Sequence, residues 1–183
     1  MPEAPKHSPL KVSKPSKPSP LPKAAPSTHK NGSIQKKAKL RAVVINSTVL
    51  STSAPKPETL MTPMEKMELI EDGISKKDLE ALKQKTNLDY DQLAQVLSVA
   101  RATLINKKGK ARFSHELSER IVGLADLYSY GYEVFEDRTK FNGWVFQPNQ
   151  ALGGKPPFDL LHNSYGREEV RNVIGRIDYG IYS

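Results

Sequence analysis

From residue 62 onward, apolar side chains recur at three- and four-residue intervals, a period that predicts helices rather than strands. Leu117, Ile121, Leu124, Tyr128, Tyr132 and Phe135 share one face of a long helix opened by Ser114, and this stripe reads as core. Phe141, Trp144 and Val145 repeat the pattern over a shorter span that ends at the turn Q-P-N-Q. Val170, Val173, Ile174 and Ile177 mark the buried face of a last helix. Its start is expected at Gly166-Arg167-Glu168-Glu169, where acids in the first turn suit the helix dipole. Gly180 should end it and leave Ile181-Tyr182-Ser183 projecting.

Three further starts are written into the residues before Ser114. Thr62-Pro63-Met64-Glu65 is a capping box with proline at the first helical position. Ser75-Lys76-Lys77-Asp78 opens a second helix, with Ile74 and Leu79 placed as a hydrophobic staple. Asp89-Tyr90-Asp91-Gln92 opens a third, stapled by Leu88 and Leu93. Such close spacing predicts short helices joined by tight turns.

The third start leads into the pattern of a helix-turn-helix. Ala94 supplies the small residue where two helices cross, Leu97 and Val99 flank Ser98 at the turn, and Leu104 anchors the second helix. Serine stands where the turn usually has glycine. Ala100, Arg101, Thr103, Asn106 and Lys107 then point outward, and residues 101–112 hold five basic side chains and no acid. In a DNA-binding reading, Lys107, Lys108, Lys110 and Arg112 meet phosphates, while Ser98, Arg101, Thr103 and Asn106 sit at the turn and base edges. The alternative is a three-helix module kept for packing or dimerisation.

Charge changes this picture only locally. The 183-residue chain has a net charge of +8, but residues 1–60 carry eleven lysines and arginines against Glu3 and Glu58. That segment is therefore +9 and the remainder −1, so the total cannot by itself argue for nucleic-acid binding. Ten of the 14 prolines lie in the same segment. Residues 1–38 are expected to be disordered, and their lysines read as a solvated spacer or a basic DNA arm. Leu40 to Leu50 is an apolar, β-branched island: a short strand or clip resting on its own domain, or a docking segment for a partner.

Other classes fall away. The chain has no cysteine, which removes disulfides and thiolate metal sites. No run approaches the roughly 18 apolar residues of a membrane span, and the N-terminus lacks the apolar stretch of a secretory signal, so a soluble protein is expected. His7, His29, His115 and His162 lie far apart, and no metal spacing, phosphate loop or nucleophile elbow is present. An enzyme, a cofactor and a metal are not expected. In Leu152-Gly153-Gly154-Lys155-Pro156-Pro157, the glycines permit positive φ and the prolines stiffen the exit, for a plain interhelical loop or one that contacts a partner.

The stretch S-V-A-R-A-T-L within the helix-turn-helix is followed, in this order, by W-V-F-Q-P-N-Q-A-L-G-G-K-P-P-F-D-L-L and G-R-I-D-Y-G-I-Y-S. Over roughly residues 70–183 the chain resembles the Xre/MbcA/ParS antitoxin family. The resemblance implies an antitoxin that neutralises a RES-domain toxin, which consumes NAD, and represses their shared operon. By the same resemblance, toxin contact falls on Trp144, on Leu152, Gly153 and Gly154, and on Arg176 and Gly180. It departs at Ile105-Asn106, where the family often has arginines.

A toxin cleft that binds NAD needs apolar walls and cationic donors. Tyr179, Ile181 and Tyr182 suit the walls, Gly180 lets the chain turn inward, and the Ser183 carboxylate suits a cation. The alternative is a tail folded back on its own helix. The expected architecture is all-α: a disordered Pro/Lys-rich tail over residues 1–60, a helix-turn-helix domain over 61–135, and a toxin-binding domain over 136–183. Expected partners are the cognate RES-domain toxin, operator DNA and, as a two-fold operator requires, a second copy in a cytoplasmic homodimer. A stand-alone transcription regulator would not need the apolar ending; an inhibitor that ignores DNA would not need the basic patch.

Overall fold

Each early helix begins where a side chain can take up an otherwise unpaired backbone N–H. Thr62 accepts from Glu65, Ser75 from Asp78, and Asp89 from Asp91 and Gln92, and in all three the residue at the third position returns a bond to the cap. The computed structural model describes residues 47–50, 56–108 and 110–180. Its helices are α1 (Pro63–Asp72), α2 (Lys76–Thr86), α3 (Tyr90–Leu97), α4 (Arg101–Ile105), α5 (His115–Phe135), α6 (Arg138–Trp144) and α7 (Ser164–Asp178). Short 3-10 turns cover Glu58–Leu60, Gln150–Leu152 and Pro157–Leu160, and among the described residues backbone bridges occur only as isolated pairs. The all-α expectation holds.

The centre of the fold is α5. Helices α1, α2, α3, α6 and α7 and the turn at Glu58–Leu60 all pack against it. Of the predicted stripe, Leu117, Ile121, Leu124, Tyr128 and Tyr132 are buried, and Phe135 packs at the margin. The Phe141 ring enters this core edge-on to Tyr128 at 5.3 Å and to Tyr132 at 5.6 Å. It fits because residue 131 is glycine: a Cβ there would stand 2.2 Å from the Phe141 ring. Burying a phenylalanine side chain of this kind is worth about 1.5–3 kcal/mol.

The predicted start of the last helix is corrected by three residues. Asn163, not Gly166, is the cap: its Oδ1 accepts the Gly166 N–H at 2.8 Å, and the helix runs from Ser164. Glu168 and Glu169 therefore lie beyond the first turn, and their sequence cue misplaced the boundary. Gly166 serves a different need, since a Cβ there would lie 1.9 Å from the Leu160 carbonyl oxygen.

Upstream of the first helix, Val49 and Leu50 are fully buried. The Glu58 carboxylate accepts the Val49 N–H at 2.8 Å and the Leu50 N–H at 2.6 Å. Residues 47–50 are thus a clip on their own domain, and the strand alternative fails for them. The expectations for residues 1–38 and for residues 40–46 lie outside the described residues.

Candidate functional site

Two surfaces follow from this frame. At the first, α3 stops because Ser98 takes a left-handed conformation, φ 51°, and the Val99 N–H closes back on the Ala94 carbonyl at 3.0 Å. Leu97 and Leu104 are fully buried beneath the turn, as the sequence pattern requires. Helix α4 then carries Arg101, Thr103 and Asn106 on its exposed side, with Lys108 and Lys110 exposed just beyond.

Three of the expected contact residues are partly engaged inside the fold. Ser98 Oγ donates to the His162 carbonyl at 3.2 Å, which ties the turn to the loop before α7. The guanidinium of Arg112 donates to the Gly73 carbonyl at 2.6 Å. Lys107 is half-buried with its ammonium 5.5 Å from the centre of the Phe113 ring. The sequence reading also missed Asp91, whose carboxylate lies 3.4 Å from Arg101 Nε, and Arg120, which donates to the Leu97 carbonyl at 2.9 Å. Neither pairing has a local signature, because the partners are ten and 23 residues apart.

At the second surface, the loop after α6 is built as a rigid projection. The Asn149 N–H donates to the Lys155 carbonyl at 3.1 Å, the Gly154 N–H returns to the Asn149 carbonyl at 2.9 Å, and Asn149 Oδ1 accepts the Ala151 N–H. Gly153 and Gly154 have φ of 68° and 79°, left-handed values that favour glycine, and no atom lies within 4 Å of where their Cβ atoms would be. Leu152 packs partly on the core, and Trp144 stacks on Phe141 at 5.6 Å. Phe146, unremarked in the sequence, stacks on Phe158 at 4.9 Å and stays 39% exposed.

Helix α7 ends in the open. Tyr179 is 81% exposed, and Gly180 turns at φ 69° with no atom within 4 Å of a Cβ. Beside them lies a groove of about 660 Å³ lined by Thr59, Leu60, Tyr130, Arg171, Arg176 and Tyr179. Arg171 lies over the Tyr130 ring at 4.9 Å, and burial raises the pKa of the Tyr130 hydroxyl. Ile181, Tyr182 and Ser183 lie outside the described residues. Among those described, no cluster of three or more metal-ligating side chains forms, and no helix is long and apolar enough to cross a membrane.

Residues 65–126 match the model for the antitoxin Xre-like helix-turn-helix domain, and residues 131–180 match the antitoxin Xre/MbcA/ParS C-terminal toxin-binding domain. The chain belongs to the Xre/MbcA/ParS antitoxin family. A relative named Prs ADP-ribosylating antitoxin, from Sphingobium sp. (strain YBL2), is 29% identical over 133 residues, which cover 67% of this chain and 83% of that protein. An Antitoxin Xre from Photorhabdus laumondii subsp. laumondii is 33% identical over 76 residues, 41% of this chain and 51% of the relative. An Antitoxin Xre from Yersinia enterocolitica serotype O:8 is 34% identical over 73 residues, 39% and 49% of the two chains. Both surfaces of this antitoxin thus fall inside the matched segments, the turn and α4 in the first, the glycine loop and the end of α7 in the second.

Proposed function

We propose that this antitoxin inhibits a cognate RES-domain toxin by inserting its C-terminal residues into the toxin's NAD-binding cleft, and that it represses its own operon through the helix-turn-helix. The observation that carries the first half is the end of α7: an almost fully exposed tyrosine followed by a left-handed glycine, at the close of a toxin-binding domain. An aromatic ring loses little rotamer freedom on burial and brings a large apolar area, so Tyr179 is an efficient anchor, with Ile181, Tyr182 and Ser183 beyond it. Trp144, Leu152, Gly153, Gly154 and Arg176 complete the toxin-facing set, which we assign to a domain over residues 136–183. The name of the Sphingobium relative joins an antitoxin to ADP-ribosylation, a chemistry that draws on NAD.

For the second half, residues 61–135 form the DNA-reading domain. Arg101, Thr103 and Asn106 approach base edges, and Lys107, Lys108, Lys110 and Arg112 meet phosphates, with Ser98 at the turn. A cytoplasmic homodimer would present two such helices to half-sites one turn of DNA apart, or a multiple of it.

The test is a truncation lacking residues 179–183, co-expressed with the toxin encoded beside it. Because the removed Tyr179 makes so little contact with its own domain, the truncated protein should fold and bind DNA normally but fail to rescue growth or to stop NAD consumption. Full protection by the truncated protein overturns the insertion mechanism.

A further inference from the structure

Helix α4 is only five residues long and has no side chain capping its start, since Ala100 offers none. Isolated helices shorter than about 12 residues are marginal in water, so a helix of this length takes its position from what grips it. Leu104 grips it from below, fully buried in the core. A second grip acts at its C-terminal end. Lys76, at the start of α2, donates from Nζ to the Leu104 carbonyl at 2.6 Å. This carbonyl is one of those a helix end leaves unpaired, and an ammonium there also suits the negative end of the helix dipole.

The Lys76 ammonium is itself held in place. It donates to the Tyr90 hydroxyl at 2.6 Å and lies 3.1 Å from Glu80 Oε1. The Tyr90 hydroxyl in turn donates to Glu80. Partial burial works against the charge on Lys76, but its bonds to Tyr90 and Glu80 outweigh that and keep it above the usual lysine range. The knot joins the first turns of α2 and α3 to the last carbonyls of α4, three segments that the chain separates by up to 28 residues.

We propose that Lys76, supported by Glu80 and Tyr90, is a positioning residue for the recognition helix, setting the angle at which Arg101, Thr103 and Asn106 meet a DNA duplex. This rests on the DNA-binding reading above. Lys76 is not a phosphate contact in disguise. Two of its three donors are taken by Leu104 and Tyr90, and its charge is paired with Glu80. Asn106 stands two residues beyond the gripped carbonyl, so a tilt of α4 moves it directly.

The experiment measures binding of the full-length protein to two duplexes: the DNA immediately upstream of its own gene, and a shuffled duplex of equal length and composition. The wild type should prefer the upstream duplex; if it shows no preference, the DNA-binding reading falls, and this inference with it. Given that preference, Lys76→Met should lower it by about tenfold, the scale of one displaced base contact, with the salt dependence unchanged. Lys108→Met, in contrast, should weaken binding to both duplexes alike and reduce the salt slope by about one. Both variants should still neutralise the toxin. An unaltered preference in Lys76→Met, or an equal loss on both duplexes with a shallower salt slope, overturns the proposal. Should Lys76→Met fail to fold, Tyr90→Phe keeps the ring and removes only the hydroxyl with its bonds to Lys76 and Glu80; it should lose preference in the same direction, and wild-type preference in Tyr90→Phe refutes the knot.

Discussion

Asp126 on α5 and Arg171 on α7 meet at 3.0 Å, Oδ2 to Nη1, while Lys66 on α1 lies 2.8 Å from the other carboxylate oxygen. One side chain, 17% exposed, thereby ties together three helices from both matched domains. Lys66 contributes as an ion pair only, its geometry falling short of a hydrogen bond. Because the carboxylate and Lys66 are mostly withdrawn from water and Arg171 is less so, Asp126→Ala should cost about 2 kcal/mol, between the values for exposed and buried pairs. Urea unfolding of Asp126→Ala, Arg171→Ala and the double variant checks this; simple additivity of the two single effects would contradict the pairing.

Two glycines should tolerate nothing larger. At Gly131 a methyl group would overlap the Phe141 ring, and at Gly166 it would overlap the Leu160 carbonyl. Gly131→Ala should cost about 1–3 kcal/mol, because the ring can shift within the aromatic cluster. Gly166→Ala should cost more, since its obstacle is backbone. Thermal melts that rank the two in the opposite order would refute the argument.

The Tyr128 hydroxyl is fully buried and has no hydrogen-bond partner among the described residues. Burial raises its pKa, so it stays protonated. Tyr128→Phe removes an unsatisfied polar group and leaves the ring contacts intact. It should raise stability by about 1 kcal/mol, read as a higher urea midpoint at unchanged slope.

Two glutamates should act oppositely on acid stability. Glu65 is held at about 2 rather than 4.5, first by the Lys56 ammonium 2.6 Å away and then by the Thr62 N–H and hydroxyl. The folded state binds this proton less readily than the unfolded chain, so the contribution is present above 4.5 and disappears as pH falls toward about 2. Glu58 is raised above 4.5 by burial, although the Leu50 and Val49 N–H groups pull the other way. Its folded state binds the proton more readily, so stability from this group declines as pH rises from 4.5 through the raised value. Glu65→Gln should flatten the acid limb, and the stability of Glu58→Gln should decline less above it, both read from unfolding midpoints against pH.

The exposed charge on α4 gives a functional prediction. Arg101→Ala with Lys107→Ala should weaken binding to the upstream DNA and lower its salt dependence, Arg101 more than Lys107 because the latter is half-buried over Phe113. Gel shifts at two salt concentrations decide it, and unchanged affinity would count against DNA recognition by this face.

What was legible in the sequence was what neighbours in the chain decide. The caps at Thr62, Ser75 and Asp89 were readable because acceptor and donor stand three residues apart, and the α5 stripe because burial repeats with the helical period. The Ser98 turn was readable despite its missing glycine, because Ala94, Leu97, Val99 and Leu104 specify the crossing. The start of α7 was misread because two acids resemble a first turn wherever they fall, while the true cap, Asn163, follows a short loop with no periodic cue. The knot of Lys76, Glu80, Tyr90 and Leu104 and the buried Glu58 were invisible for a different reason. Each depends on segments that only tertiary packing brings together, and a charged residue in a helical stretch ordinarily points to solvent.

Since α5 is the common wall of both halves, the two matched domains do not separate as cassettes. A hybrid that exchanges the tail end between relatives to redirect the inhibitor should be spliced ahead of Ser114, so that the donor supplies the entire 21-residue rod together with what leans on it. A junction at the boundary between the matched segments, residues 126–131, would cut that rod beside its ionic tie and its tightest glycine, leaving mismatched faces on either side.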